Sequence, residues 1–187
     1  MMPYIDVISH EEATDDLKDI YDNLVATRGK LADVHMIQSL NPKSIVNHMD
    51  LYMTIMFGKS PLKRVQREMM AVVVSKANNC EYCQMHHAEA VNHYWKDDAK
   101  TNQLKKDYSQ LSLSELDMQL CDFAKELTVN PNHVNEKSIE TLKNLGLSDR
   151  AVLDATLVIS YFNFVNRIVL GLGLAVNEDE LKGYEYE

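Results

Sequence analysis

The sequence predicts an all-α protein that folds as a single domain. Along most of the chain, apolar residues recur at intervals of three and four, which is the period of an amphipathic helix. No segment shows the alternation of apolar and polar residues that is typical of a half-buried strand. No repeat and no Pro- or Gly-rich linker divides the 187 residues, so we expect one compact core for residues 1–187.

Helix start and stop signals divide the chain into its expected elements. Capping boxes and Pro residues mark the starts, and Gly residues or Asn-Pro turns mark the ends. The first predicted helix begins with a capping box at Ser9–Glu12 and ends at Arg28. The others cover Asp33–Leu40, Pro42–Phe57, Ser60–Ala77, Cys80–Trp95, a short stretch within 96–110, Ser112–Leu127, Asn135–Leu145 and Ser148–Val176.

The last predicted helix is the most apolar segment of the chain. It has the length of a membrane span, but charged residues such as Asp154 and Arg167 make insertion into a bilayer costly. We therefore interpret it as a buried core or interface helix. Asn163, Asn166 and Arg167 lie on one face and predict a buried polar contact or a subunit interface. The acidic tail from Asn177 is expected to fray.

Composition and charge argue against several kinds of function. The chain has 45% apolar and 25% charged residues, which is typical of a globular protein. Its net charge is −9 and its Lys and Arg residues form no dense group, which argues against a nucleic-acid partner. The N-terminal segment is acidic and lacks the apolar stretch of a signal peptide, so we expect a cytoplasmic protein without membrane attachment.

Cysteine spacing singles out residues 68–88. In a reducing compartment, the three cysteines of the chain predict catalytic, metal-binding or core thiols. Cys80 and Cys83 form a CxxC pair, and on a helix they fall within about 60° of His87 around the axis. This stripe predicts a partly apolar pocket lined by both thiols. Residues three apart on a helix have Cα atoms about 5 Å apart, so the pair can form a disulfide with little backbone movement.

The start of this helix is predicted to activate the thiols. Asn78 and Asn79 precede Cys80, and Asn is a common N-cap residue. Both thiols would then lie in the first helical turn, where free backbone N–H groups and the helix dipole favour a thiolate.

Glu68 is the candidate acid of the site, although it belongs to the preceding helix. A continuous helix would separate Glu68 from Cys80 by about 18 Å, so a turn must fold one helix against the other. We expect Glu68 at the edge of the core, where burial raises the pKa of a carboxylate toward that of a general base. A surface ion pair with Arg64, one turn away, is the alternative.

Other interpretations of these residues stay open. Cys80 and Cys83 could be small core side chains, and His87 could be a hydrogen-bonded core histidine. The two thiols with His86 or His87 would supply three zinc ligands, but no fourth ligand is evident. Haem attachment is excluded because Gln84 follows Cys83. We expect no metal and no cofactor.

Three further residues carry weaker signals. Tyr82 lies on the opposite side of the helix from the cysteines, which predicts a packing or interface contact. His86 is offset from the cysteine stripe and ranks with Tyr82 as a secondary candidate. Cys121 lies among apolar residues of a later helix and is predicted to be a core thiol.

The pattern E-x11-C-x-Y-C-x3-H is formed by Glu68, Cys80, Tyr82, Cys83 and His87. It resembles the AhpD-like branch of the carboxymuconolactone decarboxylase superfamily, and most closely its uncharacterised peroxidase-related group. The segment FNFVNRIVLGLGL is similar to the C-terminal helix of that group. The resemblance implies an AhpD-like helical bundle with its redox core at about 43–95, assembled into trimers or hexamers.

The resemblance also implies thiol-dependent reduction of hydroperoxides. Cys83 would be attacked by the peroxide, Cys80 would be the resolving and exchange thiol, and Glu68 with His87 would form the proton relay. A dithiol or a thioredoxin- or lipoyl-type protein would be the reductant. Two alternatives stay open: a non-enzymatic redox sensor or disulfide-exchange protein, and a carboxymuconolactone decarboxylase-like lyase, which would not need the CxxC pair.

Overall fold

A computed structural model describes residues 3–177 and 180, and within them the chain is helical with no strand. This confirms the all-α prediction. The described residues form nine α-helices: α1 (Asp15–Arg28), α2 (Asp33–Met36), α3 (Pro42–Tyr52), α4 (Arg64–Ala77), α5 (Glu81–Trp95), α6 (Asp98–Asp107), α7 (Glu115–Val129), α8 (Glu136–Asn144) and α9 (Asp149–Leu172). A π-helical turn (Met53–Phe57) continues α3, and two 3-10 turns cover Tyr108–Gln110 and Pro131–His133.

Helix α4 is the centre of the bundle. Every residue from Gln66 to Ser75 is buried, because α5, α7 and α9 pack around it. Its middle, Met69–Val74, is an uninterrupted apolar run, which is the composition of a helix that is enclosed on all sides. Polar side chains on α4 therefore have their partners inside the protein.

The N-terminal helices form a smaller second core. Buried residues of α1, such as Leu17 and Tyr21, pack against Ile45 and Met49 of α3. Tyr52 at the end of α3 contacts both this cluster and the main core. The N-terminal unit thus lies against the main bundle and leaves a space between the two.

Two predicted capping boxes give different outcomes. The hydroxyl of Ser9 donates to the Glu12 carboxylate at 2.7 Å, so that box forms, but it closes a turn before α1 and the helix begins after Thr14. The box predicted at Ser112–Glu115 lies two residues too early, since Ser114 is the N-cap of α7 and accepts from the Asp117 backbone N–H at 3.1 Å.

Other helix bounds are shorter than the sequence predicted. Helix α2 ends at Met36, and α4 begins at Arg64 instead of Ser60. The backbone N–H of Lys63 is bonded to the Gln66 side chain at 2.9 Å, which makes Lys63 the N-cap of α4. Local start signals therefore locate the first residue of α2 and α3 and the N-caps of α8 and α9, but they miss the start of α4 by a few positions.

Helix α9 is long and apolar enough to cross a membrane by length and composition, yet 44% of its most apolar window is buried inside the protein. Eleven of its 24 residues are buried, as the prediction of a core helix requires. The prediction that the tail frays is wrong for Glu180, because its carboxylate accepts a hydrogen bond from the Tyr82 hydroxyl at 2.6 Å. The rest of that expectation concerns residues 178–179 and 181–187, which lie outside the described residues.

The π-helical turn depends on Gly58. A Cβ atom at this position would lie 2.2 Å from the backbone carbonyl oxygen of Thr54, so Gly58→Ala must displace the backbone. We expect this variant to lose about 1–3 kcal/mol of unfolding free energy in urea denaturation. Gly171→Ala is the matched control, because the added methyl meets no atom within 4 Å and removes glycine flexibility from α9. Equal effects of the two substitutions would contradict this account.

Candidate active site

The turn between α4 and α5 brings the predicted acid and histidine together. Asn79 adopts a left-handed conformation with φ 56°, and the Cys80 backbone N–H donates to the Ser75 carbonyl at 2.8 Å. The chain reverses here, and α5 packs along α4. As a result, Nδ1 of His87 lies 2.6 Å from Oε2 of Glu68. The turn that the sequence analysis required between the helices of Glu68 and His87 is therefore present.

The two cysteines occupy different positions at the start of α5. Cys80 is itself the N-cap, and Asn79, which the sequence suggested for this place, lies one residue outside. Cys83 lies in the first turn, as predicted. Both thiols are free and buried, at 1% and 3% exposure. The third cysteine, Cys121, is buried in the core of α7, in agreement with the sequence analysis.

A cavity of about 100 Å³ lies between the N-terminal unit and α4, α5 and α9. Cys83, Glu68 and His87 line this cavity, and Cys80 does not. The prediction that both thiols line the pocket was therefore wrong for Cys80, because this residue is the N-cap and precedes the helix face that bounds the cavity. The aromatic side chains of Tyr52, Phe57, Tyr161 and Phe162 form part of the remaining wall, together with aliphatic, histidine and basic side chains. A small organic molecule or a few waters would fit in this space, with the Cys83 thiol within their reach.

Glu68 is fully buried, with no exposed surface, and not at the edge of the core. Burial favours a higher pKa, but His87 and the Arg64 guanidinium, 2.6 Å away, outweigh it and leave the pKa of Glu68 lowered. The expectation of a raised pKa was therefore wrong. The ion pair with Arg64 is present, but it lies inside the protein and joins the same carboxylate that holds His87.

The hydrogen bond to Glu68 sets the proton position on His87. Because the carboxylate is ionised and can only accept, Nδ1 of His87 carries the proton. The other ring nitrogen has no hydrogen bond among the described contacts, and the ring packs edge-on against Phe162 with centroids 4.4 Å apart. The described contacts include no direct hydrogen bond from His87 to Cys83. A proton moving between them would travel across the cavity through a water or a substrate oxygen.

The thiols differ in acidity. The Cys83 thiol and backbone N–H, next to Cys80, lower the pKa of Cys80. The neighbouring Cys80 and burial raise the pKa of Cys83 well above its usual value. The predicted thiolate at the helix start is thus supported for Cys80 and wrong for Cys83, because one negative charge at the pair disfavours a second. Cys83 needs a base before it can act as a nucleophile.

A polar network from α9 holds the turn that carries Cys80. The side-chain amide of Asn78 donates to Asn163 and to Asn166, each at 3.0 Å. Asn166 is fully buried and in turn donates to Ser75 at 3.2 Å, while Arg167 bonds the backbone and side chain of Asn163. The predicted polar contact is therefore found within the chain. These hydrogen bonds fix the turn between α4 and α5 against α9.

The secondary candidates also lie beside the cavity. Tyr82 is buried, and its hydroxyl is bonded to the Glu180 carboxylate. His86 stacks on Tyr82 with centroids 4.3 Å apart and lines the cavity, although the sequence placed it off the stripe. Residues 3–177 and 180 contain no group of three or more His, Cys, Asp or Glu side chains arranged to hold a metal ion.

Sequence reasoning missed two cavity residues that come from distant helices. His48 of α3 is bonded through Nε2 to the hydroxyl of Tyr161 on α9, at 2.6 Å. The two residues are 113 positions apart in the chain. No motif joins them, and only the burial of both helix faces in one fold brings them to the cavity.

Comparisons with known proteins concern the family and the fold. The profile of the carboxymuconolactone decarboxylase family matches residues 47–94, which include Glu68, both cysteines and His87. A solved structure described as the AhpD core, an uncharacterized peroxidase-related protein from Ralstonia eutropha, is 22% identical, with a TM-score of 0.86 over 96% of this chain and 94% of that chain. Residues 47–94 thus match the carboxymuconolactone decarboxylase family, and the chain has an AhpD-like fold.

Other structures show how widely the AhpD-like fold is used. An uncharacterized peroxidase-related protein from Silicibacter is 25% identical, with a TM-score of 0.84 over 97% of both chains. The debrominase Bmp8, in its apo form, is 17% identical with a TM-score of 0.76 over 94% of this chain and 96% of that chain. Curated protein sequences contain no match to the chain. The fold is thus shared by a protein described as a debrominase and by two uncharacterized peroxidase-related proteins.

The lowered pKa of Glu68 makes a prediction about stability. Because this pKa is lower in the folded protein than its ordinary value of 4.5, the ionised carboxylate stabilises the fold at neutral pH, and the effect is lost as pH falls through the folded value. In urea unfolding from neutral to acidic pH, wild type should lose up to about 1.4 kcal/mol per pH unit more than Glu68→Gln in that range.

The exposed Glu140 provides the control, since Glu140→Gln removes a carboxylate outside the cavity. Its stability should follow that of wild type at every pH. A Glu68→Gln profile parallel to that of wild type would contradict the assigned role of the buried ion pair.

Proposed function

We propose that the protein is a thiol-dependent peroxidase that uses Cys83 and Cys80 as a redox pair and Glu68 with His87 as a proton relay. One observation carries this proposal. The Cys83 thiol lines an aromatic cavity together with a histidine whose orientation is set by a fully buried carboxylate. Nucleophilic thiol, base and base-orienting acid are the groups that a cysteine nucleophile requires.

The first step is deprotonation of Cys83. Its raised pKa means that the resting pair places negative charge on Cys80 first, so Cys83 depends on a base at the cavity. His87 has its free nitrogen available for this proton, and Glu68 stabilises the imidazolium that forms. The relay therefore serves the thiol that substrate can reach.

The next steps oxidise the pair. The Cys83 thiolate attacks the terminal oxygen of the hydroperoxide, the O–O bond breaks, and an alcohol leaves after its oxygen is protonated. Cys80 then attacks the sulfenic acid on Cys83, and a disulfide and water are formed. The position of Cys80 at the N-cap of α5, beside Cys83 but outside the cavity, suits a resolving thiol.

A dithiol must then reduce the disulfide. Both cysteines are almost fully buried, which favours a slender donor such as a lipoyl-type arm or a small dithiol over a broad protein surface. The lowered pKa of Cys80 makes it the better thiol for exchange with such a donor. The same feature favours disulfide exchange without peroxide reduction as the second candidate function.

Hydroperoxide consumption with excess dithiol tests the proposal directly. We expect Cys83→Ser and Cys80→Ser each to abolish turnover, because the first lacks the nucleophile and the second cannot resolve the sulfenic acid. A sulfenic acid trap should label Cys80→Ser and fail to label Cys83→Ser.

Cys121→Ala is the control, because this third thiol lies in the core away from the cavity and its loss should leave turnover unchanged. Wild-type turnover no greater than that of the double serine variant would refute the peroxidase. Rapid dithiol-disulfide exchange in that case would favour the second candidate, and an oxidation-dependent change of assembly would favour a redox sensor.

We also propose that the protein is cytoplasmic and works as a homo-oligomer, a trimer or hexamer. Helix α9 leaves apolar side chains in contact with solvent, including Leu153, Leu157 and Phe164 at 53%, 39% and 47% exposure. Leu153 and Leu157 are one turn apart, so they form part of a single apolar stripe. A second copy of the chain would cover this stripe.

Light scattering coupled to size exclusion tests the assembly. Leu153→Glu should shift the protein from an oligomer toward the monomer, because it places a charge within the buried contact. Val129→Glu is matched, since Val129 on α7 is also 53% exposed, and it should leave the oligomer intact. A monomeric wild type would refute the proposed assembly.

A further inference from the structure

Tyr161 is a buried cavity residue that the steps above do not use. It lines the cavity with Cys83 and is 5% exposed. Its hydroxyl lies 2.6 Å from Nε2 of His48, and its ring packs against Phe162 with centroids 5.0 Å apart. A buried hydroxyl both donates and accepts, so the direction of the bond to His48 decides what the tyrosine can offer to a bound molecule.

Gln38 determines that direction. Its side-chain nitrogen lies 2.8 Å from the Val34 carbonyl oxygen and 2.8 Å from Nδ1 of His48. Turning the amide around would place two oxygens in contact at Val34, so the nitrogen faces both groups and donates to both. Nδ1 of His48 therefore accepts.

His48 must consequently donate through its other nitrogen. Burial lowers the pKa of His48 to about 4, so the ring is neutral at physiological pH and carries a single proton. Since Nδ1 accepts from Gln38, that proton is on Nε2 and is donated to the Tyr161 oxygen. The hydroxyl hydrogen of Tyr161 is thus left for another acceptor.

The described residues contain no acceptor for this hydrogen. Burial raises the pKa of Tyr161 well above its usual value, so the hydroxyl keeps its proton at neutral pH. An unused donor on a buried hydroxyl is costly unless a ligand or water completes it. The cavity that Tyr161 shares with Cys83 is where such an acceptor can bind.

We infer that Tyr161 is a further catalytic residue, which donates its hydroxyl proton to the oxygen that leaves when Cys83 attacks a hydroperoxide. The inference rests on the proposed peroxidase. In this step the Cys83 sulfur forms a bond to the terminal oxygen and the O–O bond breaks. The electron pair goes to the alkoxide, which takes the Tyr161 proton and leaves as an alcohol. The His48 N–H stabilises the tyrosinate until water returns a proton.

The proton balance agrees with two separate donors. His87 holds the proton taken from Cys83, and that proton is then available for the hydroxide that Cys80 expels from the sulfenic acid. Tyr161 serves the alkoxide one step earlier. Gln38, His48 and Tyr161 therefore form a chain of hydrogen bonds that leads to the cavity from α3 and α9, whereas Glu68 and His87 belong to the α4–α5 hairpin.

Single-turnover oxidation of the reduced protein by two oxidants tests this role. With tert-butyl hydroperoxide the leaving alkoxide is strongly basic and needs a proton. With peracetic acid the leaving acetate is weakly basic and needs none. We expect Tyr161→Phe to slow oxidation of Cys83 by tert-butyl hydroperoxide about 100-fold and to change the rate with peracetic acid only a few-fold. The ratio of the two rate constants is the readout, since misfolding or a displaced Cys83 would lower both.

Tyr108→Phe is the control, because it removes a tyrosine hydroxyl that is bonded to Asp122 outside the cavity, and its ratio should equal that of wild type. An equal loss with both oxidants in Tyr161→Phe would make Tyr161 a structural residue and overturn the inference while the peroxidase stands. Oxidation of wild type no faster than that of the double serine variant with either oxidant would overturn the peroxidase, and this inference with it.

Discussion

The buried carboxylate of Glu68 is the constraint on which the site depends. It has no contact with solvent, yet it is ionised, and an ionised group in a core must be paired. Arg64 lies one turn away on the same helix, and His87 comes from the next helix. The ionised Glu68 carboxylate on α4 thus joins the two helices, because its hydrogen bond to His87 on α5 is part of the pairing that a buried charge requires. The same bond fixes the histidine in the tautomer that accepts a proton.

The environments of the two thiols follow from the geometry of one helix start. Cys80 caps α5 and receives the favourable interactions of the first turn, while Cys83 projects into the cavity and loses hydration. Acidity and access to substrate are therefore divided between the two residues. Cys83 therefore needs a nearby base such as His87, since the more acidic thiol, Cys80, does not line the cavity. The division also fits a pair in which one cysteine meets the oxidant and the other meets the reductant.

The cavity exists because two packed units meet there. The N-terminal helices supply His48 and its partner Gln38, and the central bundle supplies Cys83, His87 and Tyr161. Aromatic side chains form part of the boundary, and the side chains of Glu68, His87, His48 and Tyr161 are oriented by hydrogen bonds. Such an arrangement lowers the reorganisation that a reaction would otherwise require.

Much of this arrangement can be read from the sequence. The period of apolar residues predicts an all-helical chain, and the spacing of Cys83 and His87 predicts that they share one helix face. Cys80, which the same pattern placed beside them, is the N-cap of α5 and lies outside their cavity. The need for a turn at Asn78-Asn79 also follows, because a straight helix would keep Glu68 too far away. These are local properties of a helix, and they depend on positions that lie close together in the chain.

Tertiary structure alone determined the pKa of Glu68 and the presence of His48 and Tyr161 in the cavity wall. The pKa of Glu68 is lowered where the sequence suggested a raised value, because its depth brings both Arg64 and His87 into contact. The pairing of His48 with Tyr161 has no sequence signal, since the two residues meet only when α3 packs against α9. The pKa of a buried group and the direction of its hydrogen bonds both depend on all the groups around it. Neighbours from distant parts of the chain are known only once the chain has folded.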